Sequence, residues 1–204
     1  DQKSHSHNPR STVATITEIY DYLRVLFARA GIPHCPECGK RIKKLTQEEI
    51  VDIAIDISKR NTAKKNMVIL APVVRGRKGE YYQMLYDFLN AGFSEARIDG
   101  VLHNLRERVD LSRYKAHTIE LVVDRIPAGL DFSSKTGVGG KEAKDNRLRL
   151  AEAIESALKY GNDVVTMVTD EETSVSAKFT CPTDGFSFPE IEPRLFSFNS
   201  PYGA

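Results

Sequence analysis

The chain has 204 residues, 41% hydrophobic and 28% charged, enough to bury one or two cores. No apolar run approaches the ~20 residues that span a bilayer, and the polar start Asp1-Gln2-Lys3-Ser4-His5 lacks the basic-then-apolar layout of a secretory leader. A net charge of +1 excludes a uniform polyanion-binding surface, so any nucleic-acid contact has to come from local patches.

Residues 1–15 read as loop. Thr15-Ile16-Thr17-Glu18 has capping-box spacing and opens a helix carrying Ile19, Tyr20, Leu23, Leu26 and Phe27 at helical intervals, stopped by Gly31 and Pro33. A cysteine knuckle follows. Thr46-Gln47-Glu48-Glu49 repeats the capping signature and starts a second helix, with Ile50, Ile53, Ala54 and Ile57 on one face. Met67 to Val74 is an apolar, β-branched run and predicts a buried strand. It is followed by a basic loop, Arg75-Gly76-Arg77-Lys78, and a helix through Tyr81, Leu85, Phe88 and Leu89 that Gly92 closes.

Ala96-Arg97-Ile98, Asp99-Gly100 and Val101-Leu102-His103 spell strand, turn, strand, since Asp-Gly is a strong short hairpin signal. His117 to Ile126 predicts another strand. Pro127 to Gly140 is loop, and Leu148, Ala151, Ile154 and Leu158 mark a helix ending at Gly161. Residues 164–169 and 174–179 predict a strand pair around an acidic turn (Asp170, Glu171, Glu172), and the tail from Phe186 is aromatic without clear periodicity. The pattern predicts an α+β chain: a mixed α/β insertion domain with short helices on a small, mainly antiparallel sheet, flanked by knuckle-bearing helical segments.

All three cysteines fall in two related elements, Cys35-Pro36-Glu37-Cys38-Gly39 and Cys181-Pro182-Thr183-Asp184-Gly185. Two thiolates on a tight turn suit a tetrahedral metal ion, and a carboxylate oxygen is a permitted fourth ligand. Either both knuckles close one structural zinc site made of Cys35, Cys38, Cys181 and Asp184, or they stand apart and Cys181 is a small buried apolar side chain. Thiolates at this spacing, with an odd cysteine count, fit a reducing cytoplasm better than a disulfide scaffold. His5, His7 and His34 lie in loops and carry no metal assignment.

Four long motifs, Asn8-Pro9-Arg10-Ser11-Thr12-Val13, Thr17 to Arg24, Ala71 to Glu80 and Glu192 to Asn199, stand beside His117-Thr118-Ile119-Glu120. Together they make the chain resemble the UvrA family of the bacterial excinuclease, the damage-sensing ATPases of nucleotide excision repair. The resemblance implies three segments. Residues 1–44 would be the end of a Q-loop and a signature-domain helix with the first knuckle. Residues 45–178 would be the insertion that docks UvrB, the next protein of the same repair system. Residues 179–204 would return to the signature domain with the second knuckle, truncated at Ala204. Gln2 would be the nucleotide-sensing glutamine, with ATP and Mg bound only in the full protein.

The same resemblance implies a cytoplasmic parent that is a homodimer and reaches DNA itself. It also places the second knuckle with a further Cys-x-x-Cys beyond Ala204. Asp184 departs from the family's cysteine, and the stretch from Gly129 to Lys144 is longer than is usual there.

Arg97, Asp99 and Arg125 are the expected partner contacts, because an arginine fork suits carboxylates bidentately. The alternative pairs Arg97 with Asp99 and Arg125 with Asp124 on the surface. Arg75, Arg77 and Lys78 are the expected phosphate or nucleic-acid contacts, the alternative being an ordinary solvated turn. No Gly-x-x-x-x-Gly-Lys-Ser/Thr loop and no catalytic constellation occurs, so the chain reads as a binding segment, not an enzyme. A free-standing zinc-knuckle nucleic-acid-binding module is the competing function.

Overall fold

A computed structural model describes residues 18–61, 66–133, 140–188 and 191–197. The chain divides into two compact units, one of residues 1–42 and 188–204 and one of residues 43–187.

In the smaller unit, helix α1 (Ile19–Ala30) begins after Glu18, whose φ of 59° is left-handed and whose side chain makes no cap. Thr15 and Ile16, expected to open this helix, lie outside the described residues, as does Gln2. Gly31 ends α1 by donating to the Phe27 carbonyl at 2.9 Å. A short 3-10 helix (Pro193–Phe196) packs on α1, with the Phe27 and Phe196 rings 5.9 Å apart and Tyr20 donating to the Phe196 carbonyl.

The larger unit is a six-stranded antiparallel sheet with helices on one face, as the sequence pattern predicts. Helix α2 (Gln47–Arg60) opens on the expected capping box. Glu49 N–H donates to Thr46 Oγ1 at 3.2 Å, and Thr46 N–H donates to the Glu49 carboxylate at 2.7 Å. Strand β1 (Met67–Lys78) leads into helix α3 (Tyr82–Asn90). Strands β2 (Glu95–Ile98) and β3 (Val101–Asn104) form the expected hairpin, and strand β4 (Ala116–Ile126) follows. Helix α4 (Lys141–Tyr160) and strands β5 (Val164–Val168) and β6 (Glu172–Ser176) complete the unit, with sheet order β3-β2-β4-β1-β5-β6. Ile50, Ile69, Ala71, Ile119, Leu121, Leu150, Ile154 and Met167 are among the fully buried side chains of a single core between sheet and helices.

Three differences from the sequence reading have physical causes. Strand β1 does not stop at Val74 but runs on to Lys78, so Arg75, Arg77 and Lys78 stand on a strand, not in a loop. The extension is hidden in the sequence because the β1–β4 pairing is irregular at three places, and Gly76 (φ 57°) supplies the left-handed residue of one bulge. Pro72 sits at another bulge, which is how a central strand tolerates a residue without an N–H. Helix α4 starts at Lys141, two turns before Leu148, because its first turns are polar and carry no apolar period. Strand β6 begins at Glu172 because the turn closes tightly, Thr169 N–H donating to the Glu171 carbonyl at 3.0 Å.

Candidate docking face and cysteine knuckles

Alternation fixes which side chains leave the core. On β2, Ala96 and Ile98 are buried in the core, so Glu95 and Arg97 point to the other face of the sheet. Arg97 stands opposite Glu120 of β4 in the strand register, and its Nε donates to the Glu120 carboxylate. The rest of its fork closes bidentately on Glu172 of β6, Nη1 to Oε2 at 2.8 Å and Nη2 to Oε1 at 3.0 Å. Glu120 is only 9% exposed and Arg97 19%, whereas Glu172 is 48% exposed. The hydrogen bonds that Arg97 donates to Glu120, and then to Glu172, hold its proton even more firmly than usual. The fork is therefore filled from within, though not by Asp99.

Arg125 comes to the same face because of a bulge. Leu70 pairs with Val122 and Ile69 with Asp124, which leaves Val123 as the extra residue and reverses the phase of β4 beyond it. Asp124 consequently turns towards α4, where Arg149 grips it with contacts of 2.8 and 2.9 Å. That grip, with the Arg125 N–H adding to it, holds the Asp124 carboxyl below the usual carboxylate range. Arg125 instead meets Glu95 of β2, at 2.7 and 3.1 Å, with both side chains 38% exposed.

Asp99 serves the hairpin turn. Its φ of 50°, and 85° for Gly100, are the left-handed values that a two-residue hairpin turn demands. Its carboxylate accepts from Thr118 N–H at 2.9 Å and faces His117 Nδ1 at 2.8 Å, while His117 Nε2 lies 3.0 Å from the Ser112 carbonyl. The Thr118 N–H first, and His117 second, hold the Asp99 carboxyl low.

Glu120, Glu172 and His117 carry no site role in the sequence reading. One of them left a signal: a histidine in phase with Ile119 and Leu121 needs a polar partner inside.

The two knuckles have one backbone design. In the smaller unit, Cys35 N–H donates to the Lys40 carbonyl at 2.8 Å, Gly39 N–H to the Cys35 carbonyl at 2.9 Å, and His34 bridges Arg41. In the larger unit, Cys181 N–H donates to the Phe186 carbonyl at 2.7 Å, Gly185 N–H to the Cys181 carbonyl at 3.0 Å, and Thr180 bridges Ser187. Gly39 and Gly185 hold the same left-handed position, at φ 70° and 80°. Asp184 thus stands in its turn where Cys38 stands in the other, and its Oδ2 lies 3.3 Å from Cys181 Sγ. None of the three cysteines is in a disulfide. Each turn presents two donors of a kind zinc accepts, and the donor chemistry fits a structural ion.

Of the expected phosphate contacts, Arg77 and Lys78 are exposed, but Arg75 lies on the second knuckle. A Cβ on Gly185 would fall 2.5 Å from Arg75 Nη1. Burial weakens the Arg75 guanidinium's hold on its proton, against the opposing pull of Cys181, Asp184 and Glu120, and its Nη2 is buried without a hydrogen-bond partner among the described residues. No helix among the described residues is long and apolar enough to cross a membrane.

The family model of the UvrA interaction domain matches residues 46–171. The chain is 45% identical over 209 aligned positions to the UvrABC system protein A of Thermus thermophilus, and 46% identical over 209 to that of Methanothermobacter thermautotrophicus. It is 43% identical over 206 to that of Bacillus subtilis. Each alignment covers 100% of this chain and 20% of the relative, so the chain spans about a fifth of the length of the curated relatives it matches.

Proposed function

The chain belongs to the UvrA family through its interaction domain, and we propose that it docks UvrB for nucleotide excision repair and helps couple the ATP state of the whole protein to damage recognition. The observation that carries this reading is the interaction-domain match over residues 46–171, which takes in the whole sheet apart from β6. The ATPase activity, the reach to DNA and the homodimer belong to the proposal for the whole protein. The 204 residues themselves contain no phosphate-binding loop of the Gly-x-x-x-x-Gly-Lys-Ser/Thr type.

The docking face is the side of the sheet that carries Glu95, Arg97, Glu120 and Arg125. Arg125 is the contact residue of first choice, because it is half-exposed and its pairing with Glu95 can open to a partner carboxylate. Arg97 fixes the face from behind, and a direct contact would require it to release Glu172. Asp99 sets the hairpin tip. Zinc enters as a structural ion held by the donors that the two turns offer, Cys35 and Cys38 on one and Cys181 and Asp184 on the other.

Binding of immobilised UvrB to the 204-residue chain tests the docking. Arg125→Glu is expected to weaken it about tenfold or more, equivalent to ~1.4 kcal/mol. A wild-type chain that does not bind UvrB refutes the docking itself. Equal binding by Arg125→Glu removes only that residue from the interface.

A further inference from the structure

In two stretches that meet at one end of the sheet the charge balance departs from that of the whole chain. Residues 75–82 and 99–118 hold seven lysines and arginines against four carboxylates, where the whole chain has 29 against 28. The register brings the two stretches together, Arg77 pairing with His117 and Lys78 with Ala116. Tyr81 ties the end of β1 to the start of α3, its hydroxyl donating to the Arg77 carbonyl at 3.0 Å and to the Lys78 carbonyl at 3.2 Å. The loop before β4 is held against the sheet by the 3.0 Å contact of His117 Nε2 with the Ser112 carbonyl.

The carboxylates on this end are partly spoken for. Asp99 is engaged by His117 and Thr118, and Asp110 by Arg108 at 2.9 Å. Arg77, Lys78, Arg106 and Arg113, all exposed, have no carboxylate within 4.0 Å among the described residues.

Aromatic rings stand among these cations. Tyr114 is 73% exposed with the Arg113 guanidinium 4.8 Å from its centroid. Tyr82 and Tyr86 are 60% and 50% exposed, one turn apart on α3. They line a groove of about 250 Å³ whose opposite wall includes Arg106 and Arg108. A row of cations tracks a phosphodiester backbone, and exposed tyrosines offer faces on which unpaired bases stack.

We propose that the surface running from this end of the sheet along the α3 groove binds single-stranded nucleic acid, with Arg77, Lys78, Arg106 and Arg113 on the phosphates and Tyr82, Tyr86 and Tyr114 stacking bases. Arg77 and Lys78 lie at the opposite end of β4 from Arg125, and the proposal does not rest on the UvrB reading. It also separates Arg77 and Lys78 from Arg75, which faces the knuckle.

The test is fluorescence anisotropy of the 204-residue chain with a labelled oligothymidylate of about 16 nucleotides, titrated from about 50 to about 200 mM salt. Arg77→Gln with Lys78→Gln is expected to lower the log–log salt slope by about 1.4, two phosphates at ~0.7 each. Tyr114→Ala is expected to weaken binding about 5- to 150-fold, the worth of one stacked base, while Tyr114→Phe retains it. All these side chains are exposed, and an unchanged circular dichroism spectrum verifies that each variant folds.

No binding at the lowest salt overturns the proposal. So does a duplex that binds more tightly than the single strand. Polyglutamate that competes equally, with Tyr114→Ala harmless, assigns the surface to an acidic protein instead and overturns it too.

Discussion

Replacing Arg97 by Met keeps an unbranched stem of similar reach and removes only the charge and the fork. Three carboxylate contacts disappear: one to Glu120 and two to Glu172. The Glu172 part is worth at most about 1 kcal/mol, because that carboxylate is half in water and regains solvent when released. Glu120 is different, since its side chain is 9% exposed and Arg97 is its cross-strand neighbour. Removing one partner of a buried pair leaves an uncompensated charge and costs about 3–5 kcal/mol. Because Glu120 keeps a little exposure, the lower end applies, about 3 kcal/mol for the variant.

For a domain of this size each kcal/mol moves the melting temperature by about 2–4 °C, so Arg97→Met is expected to melt about 6–12 °C lower. Far-UV circular dichroism melts, with urea denaturation at neutral pH, give both numbers. Glu120→Gln on the Arg97→Met background removes the stranded charge, so the double variant is expected to lose at least about 1 kcal/mol less than the two single losses added together. A loss under about 1 kcal/mol in Arg97→Met, or strict additivity, would refute the claim that this pair is desolvated and structural.

Asp124 gives a pH test. Its carboxyl is held low in the folded chain by Arg149, so its contribution is present above the unfolded value of about 4 and is lost as pH falls through the lowered folded value. Arg149 is half-exposed, so Asp124→Asn is expected to cost no more than about 1 kcal/mol at neutral pH and progressively less as pH falls below about 4, and a cost that does not shrink in acid contradicts the assignment. Zinc content of the purified chain, measured by mass spectrometry, is expected to fall in Cys35→Ser and in Cys181→Ser. In Asp184→Cys zinc is expected to resist chelation longer, because thiolate replaces carboxylate on the same turn. Unchanged zinc in Cys35→Ser excludes that thiolate as an essential ligand.

Local chemistry wrote much of this structure into the sequence. The Thr46–Glu49 box, the Asp99-Gly100 turn, the Gly92 cap and the 3.6- and 2-residue apolar periods each involve residues within a few positions of one another. A sequence window therefore contains the whole interaction. The same holds for the knuckles, where a cysteine, a second donor three residues on and a left-handed glycine are enough to specify the turn.

What the sequence did not hold was which charges meet. Arg97 finds Glu120 and Glu172, 23 and 75 residues away, instead of the adjacent Asp99. Arg125 finds Glu95 while Asp124, its neighbour in the chain, turns to Arg149. Those outcomes depend on strand register and on one extra residue at Val123, and a single bulge reverses the facing of every side chain beyond it. Arg75 parts from Arg77 and Lys78 on the same bulged strand. Apolar period and turn type are decided by neighbours in the chain, but ion-pair partners are decided by pairing across the sheet, and only the folded sheet fixes that pairing.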